Sequence, residues 1–416
     1  MSRLDLVVFG ATGFTGKHAV QELVPIAKQR GLTWAVAGRS LDKLTSVLKE
    51  ASTKTGEDLS AIKTIIADVQ NERSLRDMCE QTKVVISCCG PYTLYGEPVV
   101  QAAIASGTHY VDCSGEPHFI EGMQLKYHQK AREAGVYVVS ACGFESIPVD
   151  LGVLFLQDKF DGILNSVESY MSVKALSGSI NSGTWESFVL SVPHLMELPA
   201  LRKQIYPSPL PKFKPKLKYK LFHKRFNGWC LPFPANDSSA AYRTQRFLYE
   251  TEQKRPAQIK TYVKFHSLLH TLVLAVASVF IMIMGYFKPT RSFLLKHSST
   301  FSAGMIANSP SEELVKEAEY KYELYGVGWE RSEETQIETL PPRKTMVARI
   351  YGKNPGYGMT VMGLIFSAIA ILKEQSKMPA GGGVLAPGQA FGNTRLVEHL
   401  QEHGVHFEIL SKDKGA

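Results

Sequence analysis

Three glycines near the start of the chain have the spacing of a phosphate-binding loop. Gly10, Gly13 and Gly16 follow an apolar run at 4–9 and precede a helical pattern. In a strand–turn–helix unit, such glycines permit a tight turn, a close backbone approach to a pyrophosphate and close helix packing. An incidental glycine-rich turn is the alternative. The pattern predicts a dinucleotide site with contacts from Gly10, Thr12, Gly13, Phe14, Thr15 and Gly16.

The end of the second predicted strand, at 33–40, indicates which dinucleotide fits. NAD-specific sites usually end this strand with an acidic residue that accepts a bond from the ribose 2′-hydroxyl. Here the strand closes on Arg39 and Ser40, with Lys43 one turn later. A guanidinium can fork onto the 2′-phosphate of NADP. These residues favour NADP(H); NAD(H) is the alternative if Arg39 is only a solvated strand-end residue.

Further contacts are expected where the third and fourth strands end, because ligands bind outside the carboxyl ends of parallel strands. The run 61–69 ends at Asp68 and Val69, where adenine normally lies. The run 83–92 leads into Cys89, Gly90 and Pro91, which we expect to border the nicotinamide. The loops around Asp112 and Glu145 should lie at the same edge.

A proton donor for hydride chemistry is harder to choose. Tyr92 ranks first, because Gly90 and Pro91 restrict the backbone beside it. The other candidates are Tyr95, His109, Glu116 and Glu145, and each has a structural alternative as a packed ring, a satisfied histidine or a capping carboxylate. No metal site is predicted, because the 6 cysteines are scattered and nothing has metal-ligand spacing.

Strands and helices must alternate to position these residues. Six strand-like runs between 4 and 148 are separated by helical patterns, among them 74–81, 98–106 and 118–134. This alternation predicts an α/β fold whose residues 1–150 form a Rossmann domain with a doubly wound parallel sheet. Beyond residue 150 the alternation of strands and helices stops. Residues 151–358 are expected to form a second α+β domain for substrate or dimerisation, and 359–416 to pack back on the Rossmann domain.

Composition indicates a folded protein in a reducing compartment. Hydrophobic residues make up 44% and charged residues 21%, with a formal net charge of +8. No signal peptide is predicted at the N-terminus, so we expect a cytosol-facing and not a secreted protein. The glycosylation sequon at Asn236 is then a chance occurrence.

Several motifs in order resemble one family. "GATGFTG", "AGRS", "CCGPY", "CGFESIPVDLG" and "GGGVLAPGQAFGNTRLVEHLQEHGVHFEI" together resemble the saccharopine dehydrogenase-like oxidoreductases, a family related to trans-acting enoyl reductases of lipid and glycolipid synthesis. The resemblance implies a Rossmann domain, a second domain with a β-sheet, and association of animal members with lipid droplets or other membranes.

The resemblance does not by itself name the reaction. Saccharopine dehydrogenases bind amino acids with several arginines, whereas the middle of this chain offers lysine-rich and apolar runs. Hydride transfer on a lipid-like carbonyl, enoyl or imine group fits better. The alternatives are a catalytically idle NADPH-binding protein of lipid surfaces and a soluble amino-acid reductase.

Cations cluster between residues 202 and 225. Lysines 212, 214, 216, 218 and 220 alternate with other residues, and no acidic residue lies between Glu197 and Asp237. We expect no nucleic-acid binding, because the accompanying motifs are missing. This basic strip is either a solvated loop or a contact with an anionic membrane, to which each lysine would contribute ~1 kcal/mol.

An uncharged apolar helix is predicted at 267–287. Its length is close to the ~20 residues that cross a bilayer. Three interpretations remain: a single span, a helix embedded in a membrane surface, or a helix buried in the protein or at a homodimer interface. A span would separate the two ends of one enzyme, so embedding is preferred. Tyr286, Phe287, Lys288, Arg291 and Lys296 would then lie at the interface of a lipid droplet, the ER or the mitochondrial surface.

Overall fold

Two seven-stranded sheets organise the computed structural model, which describes residues 2–174, 178, 180–233, 236–308, 310–337 and 339–413. The strands are β1 (Leu4–Phe9), β2 (Trp34–Gly38), β3 (Lys63–Ile66), β4 (Thr82–Ser87), β5 (His109–Asp112), β6 (Tyr137–Val139), β7 (Gly162–Lys174), β8 (Ile180–Asn181), β9 (His223–Arg225), β10 (Gly228–Pro232), β11 (Gln258–Phe265), β12 (Ile306–Ala307), β13 (Glu319–Glu330), β14 (Lys344–Lys353), β15 (Gly383–Leu385) and β16 (Val405–Asp413).

The helices cover both faces of the first sheet and one face of the second. They are α1 (Phe14–Arg30), α2 (Leu41–Thr55), α3 (Glu72–Glu80), α4 (Tyr92–Ala105), α5 (Pro117–Glu133), α6 (Ile147–Lys159), α7 (Ser182–Ser191), α8 (Leu198–Ile205), α9 (Asn236–Glu252), α10 (Leu268–Tyr286), α11 (Lys288–Lys296), α12 (Ser298–Phe301), α13 (Glu312–Glu317), α14 (Thr360–Lys373), α15 (Pro387–Phe391) and α16 (Leu396–Glu402). Short 3₁₀ turns lie at Val192–Met196, Arg331–Gln336 and Gln375–Lys377, and a π-helical turn at Pro355–Met359.

The first sheet is parallel and doubly wound. Its order is β15-β6-β5-β4-β1-β2-β3, so the strand order reverses between β1 and β4. Helices α1, α2 and α14 contribute to the core on one face, and α3, α4 and α5 to the core on the other. The strands are near-continuous apolar runs because both faces are buried. The predicted fold class is confirmed, and the reversal between β1 and β4 marks where a dinucleotide binds in such sheets.

The late part of the chain contributes to both sheets. Helix α14 is buried along most of its length and packs against α1, β4 and β5. Strand β15 pairs with β6 as the outermost strand of the first sheet. Strand β16 instead pairs with β14 at the edge of the second sheet. The segment 359–416 therefore packs on the first sheet and also adds a strand to the second sheet.

The second sheet is mixed, with the order β16-β14-β13-β7-β11-β10-β9. Helices α6 and α9 pack on one face. Its other face carries a buried ion pair between Lys264 and Glu323. Lys264, which precedes the apolar helix in sequence, is therefore buried in an ion pair inside the protein.

The basic strip is mainly a loop. Residues 207–222 form no helix or strand, and β9 covers only its end. Arg202 pairs with Glu121 through two bonds of 2.8 and 2.7 Å, and Lys220 with Glu168 at 3.1 Å. Lysines 212, 214, 216 and 218 are exposed. The strip is thus a loop with exposed lysines, because prolines interrupt strand pairing.

The apolar helix α10 lies along the surface. Its face toward the protein is anchored near both ends, where Thr271 is fully buried and a β-carbon on Gly285 would lie 3.0 Å from Val192. Ile281 and Met284 pack against a small core that includes Trp185 and Leu294. Only 11% of its most apolar window is buried in the protein, against 72% for the helical stretch Pro355–Lys373, which meets the same length and hydropathy criteria.

The outer side of α10 is an exposed apolar stripe with helical spacing. It consists of Leu269, Leu272, Val273, Val276, Val279, Phe280 and Ile283. Tyr286 and Phe287 continue it at the C-terminal end. Such a contiguous exposed surface is unusual in a soluble monomer.

Candidate dinucleotide site and acidic cleft

The glycine loop leaves space where a pyrophosphate would lie. Gly10 has a φ of +79°, and a β-carbon there would lie 2.7 Å from Cys89 Sγ. A β-carbon on Gly16 would lie 2.8 Å from Ala11 Cα, so a larger residue would push α1 away from the loop. Helix α1 begins at Gly13 without a side-chain cap or an acidic residue in its first turn. Its first N–H groups therefore suit an anionic ligand.

The residues around the loop divide into two kinds. The side chains of Thr12 and Thr15 are half-buried and can add hydroxyl donors. The ring of Phe14 packs edge-on against Tyr357 at 4.7 Å. Phe14 therefore offers the site its backbone N–H, while its ring ties the loop to the turn before α14.

Arg39 has the position expected for a 2′-phosphate contact. It is exposed at the end of β2 and forms no hydrogen bond or ion pair with the residues that the structure describes. Its charge reaches Cys89: burial raises the pKa of that thiol to about 12, while Arg39 opposes the rise and Asp68 adds to it. Ser40 instead caps α2 by accepting a bond from the Lys43 N–H at 3.4 Å. The Lys43 side chain is exposed beside this cap.

Replacing Arg39 with glutamine should weaken NADPH binding by roughly 10- to 100-fold, because one charge-assisted hydrogen bond to the phosphate contributes about 1.5–3 kcal/mol. NADH binding should change little. Fluorescence titration of both nucleotides measures this ratio. Lys49→Gln removes the same charge from an exposed position further along α2 and should leave both affinities unchanged. Equal losses for NADPH and NADH would contradict the assignment.

The remaining predicted dinucleotide contacts lie along the same edge. Asp68 follows β3 and accepts a bond from the Gln70 N–H at 3.0 Å, and Val69 is half-buried beside it. Cys89 and Gly90 follow β4 next to the glycine loop, since Cys88 N donates to Phe9 O at 2.8 Å. Pro91 is buried and starts α4. The structure thus brings the ends of β1, β2, β3 and β4 together as the sequence predicts.

Tyr92 is placed as a packed tyrosine. It is 5% exposed, and its hydroxyl donates to Ser87 O at 3.0 Å and contacts Cys113 Sγ at 3.3 Å. Burial raises its pKa well above the ordinary tyrosine value. This arrangement gives the hydroxyl internal partners, so it disfavours Tyr92 as the proton donor.

Two other candidates also have structural roles. Glu116 accepts bonds from the N–H groups of Tyr92 at 2.8 Å and Thr93 at 2.7 Å, so it caps α4. His109 begins β5 and therefore lies at the opposite edge of the sheet, where it accepts a bond from Tyr137 N at 3.1 Å. Tyr95 is exposed on α4.

Glu145 has the properties that a proton donor needs. It follows β6, is half-buried, and no hydrogen bond joins its carboxyl group to the described residues. Burial, together with the negative charge of Glu116, raises its pKa to about 7. A carboxyl group with a pKa near neutrality can both hold and release a proton under cellular conditions.

Asp237 is a second acidic residue with a raised pKa near Glu145. It lies in the first turn of α9, is 1% exposed, and its Oδ1 has no hydrogen-bond partner among the described residues. Burial raises its pKa well above the ordinary value, and the charges of Glu145 and Asp150 add to this effect. Tyr322 of β13 closes the group by donating to Phe144 O at 3.1 Å. We name Glu116, Glu145 and Asp237 the acidic cleft.

Neighbouring polar residues support the loops. Asp112 accepts bonds from Ser114 N, Ala141 N and Ser140 Oγ, so it ties β5 to the loop after β6. Burial raises its pKa to about 6. Asn236 is 1% exposed and donates to Ser146 Oγ at 2.7 Å, which buries the sequon.

Asp237 was not predicted from the sequence. Its only local signal is an Asn-Asp pair before a helical pattern, which is typical of a helix start anywhere in a protein. The structure also brings ligand atoms of His118, His194 and Glu197 within 4.8 Å of one another, which sequence spacing did not reveal. Both imidazoles contact the same Glu197 oxygen, at 2.9 and 3.3 Å.

Comparison with known proteins agrees with this geometry. Residues 6–139 match the family described as Saccharopine dehydrogenase NADP binding domain. The chain is 37% identical to the human "Saccharopine dehydrogenase-like oxidoreductase", covering 98% of each chain. It is 39% identical to the Caenorhabditis elegans "Lipid droplet localized protein", covering 99% of each.

The fold is also found in a solved structure. Apo saccharopine dehydrogenase (L-Glu forming) from Saccharomyces cerevisiae superposes with a TM-score of 0.55 at 15% identity, over 98% of this chain and 100% of the yeast chain. The described residues fit NADP(H), because the glycine loop and the open start of α1 leave room for a pyrophosphate and Arg39 forms no ion pair with any of them. The chain therefore belongs to the saccharopine dehydrogenase-like oxidoreductases, with NADP(H) as its cofactor.

Proposed function

We propose that this oxidoreductase acts on a lipid-related substrate while attached to the cytosolic surface of a lipid droplet or another membrane. The observation that carries the proposal is the apolar stripe of α10, which lies on the same folded body as the dinucleotide site. An exposed apolar helix with cations and aromatic residues at one end is typical of helices that lie in a lipid interface.

The stripe is connected to the nicotinamide side by direct packing. Helix α10 contacts α7, and α7 contacts α4, which begins directly after Gly90 and Pro91. Ser187 of α7 lies 4.0 Å from the position of a β-carbon on Gly90. A substrate that leaves the lipid phase beside α10 would therefore reach the cofactor without a long path through water.

The way α10 packs on the protein favours a helix embedded in a membrane surface over a helix that spans the membrane. Contacts at Thr271 and Gly285 hold both ends against the protein, so the helix cannot stand away from the body without losing them. Lys288 and Lys296 on the following segment are exposed and can contact lipid headgroups. A helix that does not cross a bilayer suits the phospholipid monolayer that surrounds a lipid droplet. The C. elegans relative carries that location in its name.

The acidic cleft opposes a dicarboxylic amino acid as substrate. Its carboxylates would need cationic partners, and no ion pair joins a cation to Glu145 or Asp237 among the described residues. An uncharged carbonyl, enoyl or imine group on an apolar molecule needs no such partner.

The chain has a defined part in the chemistry. The nicotinamide supplies the hydride when NADPH is bound. We assign Glu145 the role of giving a proton to the reduced group, with burial and the negative charge of Glu116 keeping that proton in place until transfer.

Incubation of the protein with deuterium-labelled NADPH and a membrane lipid extract tests the proposal. Mass spectrometry should find deuterium in a lipid. Deuterium in saccharopine or another amino acid would instead support the amino-acid reductase. Bound NADPH that is never consumed with any extract would support the catalytically idle protein.

A further inference from the structure

A basic cavity lies apart from the dinucleotide site. It has a volume of about 410 Å³ and is lined by helices α5 and α9 and by the segment that leads into β15. Its charged lining residues are His128, Arg132, Arg243, Arg246 and Glu250. Strand β15 is the outermost strand at one end of the parallel sheet, whereas Arg39 follows β2 near the other end. A dinucleotide bound across β1 and β4 therefore leaves this cavity free.

Arg243 is the unusual member. It is 2% exposed, and its Nε and Nη2 atoms are buried without any hydrogen-bond partner among the described residues. No carboxylate among the described residues lies within ion-pair distance of the Arg243 guanidinium. Desolvating a charged group without pairing it costs several kcal/mol, so buried guanidinium groups normally have carboxylate or carbonyl partners. A guanidinium that lines a cavity without such partners is typical of a site for an anion.

Arg246 adds a second oriented guanidinium one turn along α9. Its plane stacks on Tyr206 at 4.3 Å, and its Nη2 donates to Ser208 O at 2.7 Å. Its Nε lies 2.7 Å from Glu250 Oε1, whereas its Nη1 is buried and has no partner in the described chain. The stacking fixes the direction of the free N–H group, which reduces the entropy lost when a ligand binds.

The other two basic residues come from α5. His128 contacts Val384 O through Nδ1 at 3.1 Å, which leaves Nε2 as its free ring nitrogen. Arg132 is exposed and can close over a ligand. Three guanidinium groups and the single carboxylate of Glu250 leave an excess of two positive charges when the imidazole is neutral. This excess matches a phosphomonoester, which carries close to two negative charges at neutral pH.

We propose that the cavity between α5, α9 and β15 binds the phosphate group of a phosphomonoester. Forked guanidinium groups bind tetrahedral phosphate oxygens in pairs. The phosphate can belong to a soluble metabolite or to a lipid headgroup, since both present the same dianion. The inference does not depend on the lipid substrate proposed above.

Calorimetric titration of the full-length protein with glycerol 3-phosphate tests this inference. Saturating NADPH is present throughout, so that the dinucleotide site is filled. Binding is expected for the wild type and should be at least about tenfold weaker for Arg132→Gln, because one charged contact is lost. Arg132 is exposed, so this variant should fold normally. Lys130→Gln removes the same charge from an exposed position on α5 and should bind like the wild type.

Arg243→Gln supplies a second readout. Without ligand it should unfold at a higher temperature than the wild type, because a buried unpaired charge is removed, and it should bind no glycerol 3-phosphate. A structural role for Arg243 predicts a lower unfolding temperature. The proposal is overturned if the wild type gives no heat at millimolar ligand, or if Arg132→Gln and Arg243→Gln bind as the wild type does.

Vesicles that contain phosphatidic acid distinguish the two sources of phosphate. If such vesicles compete with glycerol 3-phosphate for the wild type but not for Arg132→Gln, the headgroup occupies the cavity. If they do not compete, the ligand is soluble. Either result leaves the phosphate site in place.

Discussion

A variant with glutamine at Leu269, Val276, Phe280 and Ile283 is expected to leave the membrane fraction. These side chains are between 56% and 73% exposed in the protein, so they are available to insert into lipid. Full burial of such a side chain contributes about 1.5–3 kcal/mol, and because these four are about two-thirds exposed, loss of all four costs roughly 4–8 kcal/mol. The partition coefficient should fall by about 10³-fold or more. Flotation with vesicles or isolated lipid droplets measures it.

A matched variant separates this effect from general loss of hydrophobicity. Leu125, Leu221 and Leu410 are exposed leucines outside α10, and their replacement by glutamine should leave flotation unchanged. Both variants should keep the unfolding temperature of the wild type, because exposed positions contribute little to the folded state. If the α10 variant still floats, the stripe serves another purpose, such as contact with a second copy of the chain.

Replacing Glu145 with glutamine should lower kcat by about 100-fold or more, the usual contribution of a general acid, while NADPH affinity stays unchanged. The protonated carboxyl is the active form in the reducing direction. With a pKa near 7, the rate should be highest below pH 7 and fall as the pH rises through that value. The variant should lose this dependence. Stopped-flow oxidation of NADPH with the substrate identified by deuterium transfer gives both measurements.

The difference in stability between Glu145→Gln and the wild type should depend on pH, because only the wild type carries the titrating carboxyl group. Because burial raises the folded-state pKa from its ordinary value of 4.5 to about 7, the folded protein binds more protons than the unfolded chain between these values. The carboxyl therefore destabilises the wild type increasingly from about pH 4.5 to 7. The variant should be more stable than the wild type at pH 8, by about 3 kcal/mol, and not at pH 4.

Tyr92→Phe is the control for the proton donor. Its hydroxyl contacts only internal groups, so its loss should change kcat by a few-fold at most. A large loss for Tyr92→Phe together with a normal rate for Glu145→Gln would reverse the assignment.

The dinucleotide fold was predictable because its signals are local. The apolar run before Gly10, the glycine spacing and Arg39 at a strand end all lie within the first 40 residues. The start of α4 was less predictable. The sequence pattern predicts a helix from 98, whereas α4 begins at Tyr92, since its first N–H groups bond to the Glu116 carboxylate. That cap depends on a residue two elements away, which local propensity does not reveal.

The acidic cleft shows the same limit more strongly. Glu145 is a sequence candidate because it follows a predicted strand, but its raised pKa comes from Glu116 and from burial under the second domain. Asp237 joins it only because α9 packs against α6. The basic strip shows a related limit: the partner of Lys220, Glu168, lies on a strand far away in sequence. Pairing across domains determines which charges remain free.

Strand β15 and helix α14 have a consequence for how the protein is made. During synthesis the ribosome releases β1 to β6 long before these two elements. Until then the first sheet has an unpaired edge beside β6, and the face on which α14 packs is uncovered. Helix α10 emerges in this interval. The apolar stripe is therefore made before the first sheet is complete, and the edge beside β6 is covered only when β15 arrives.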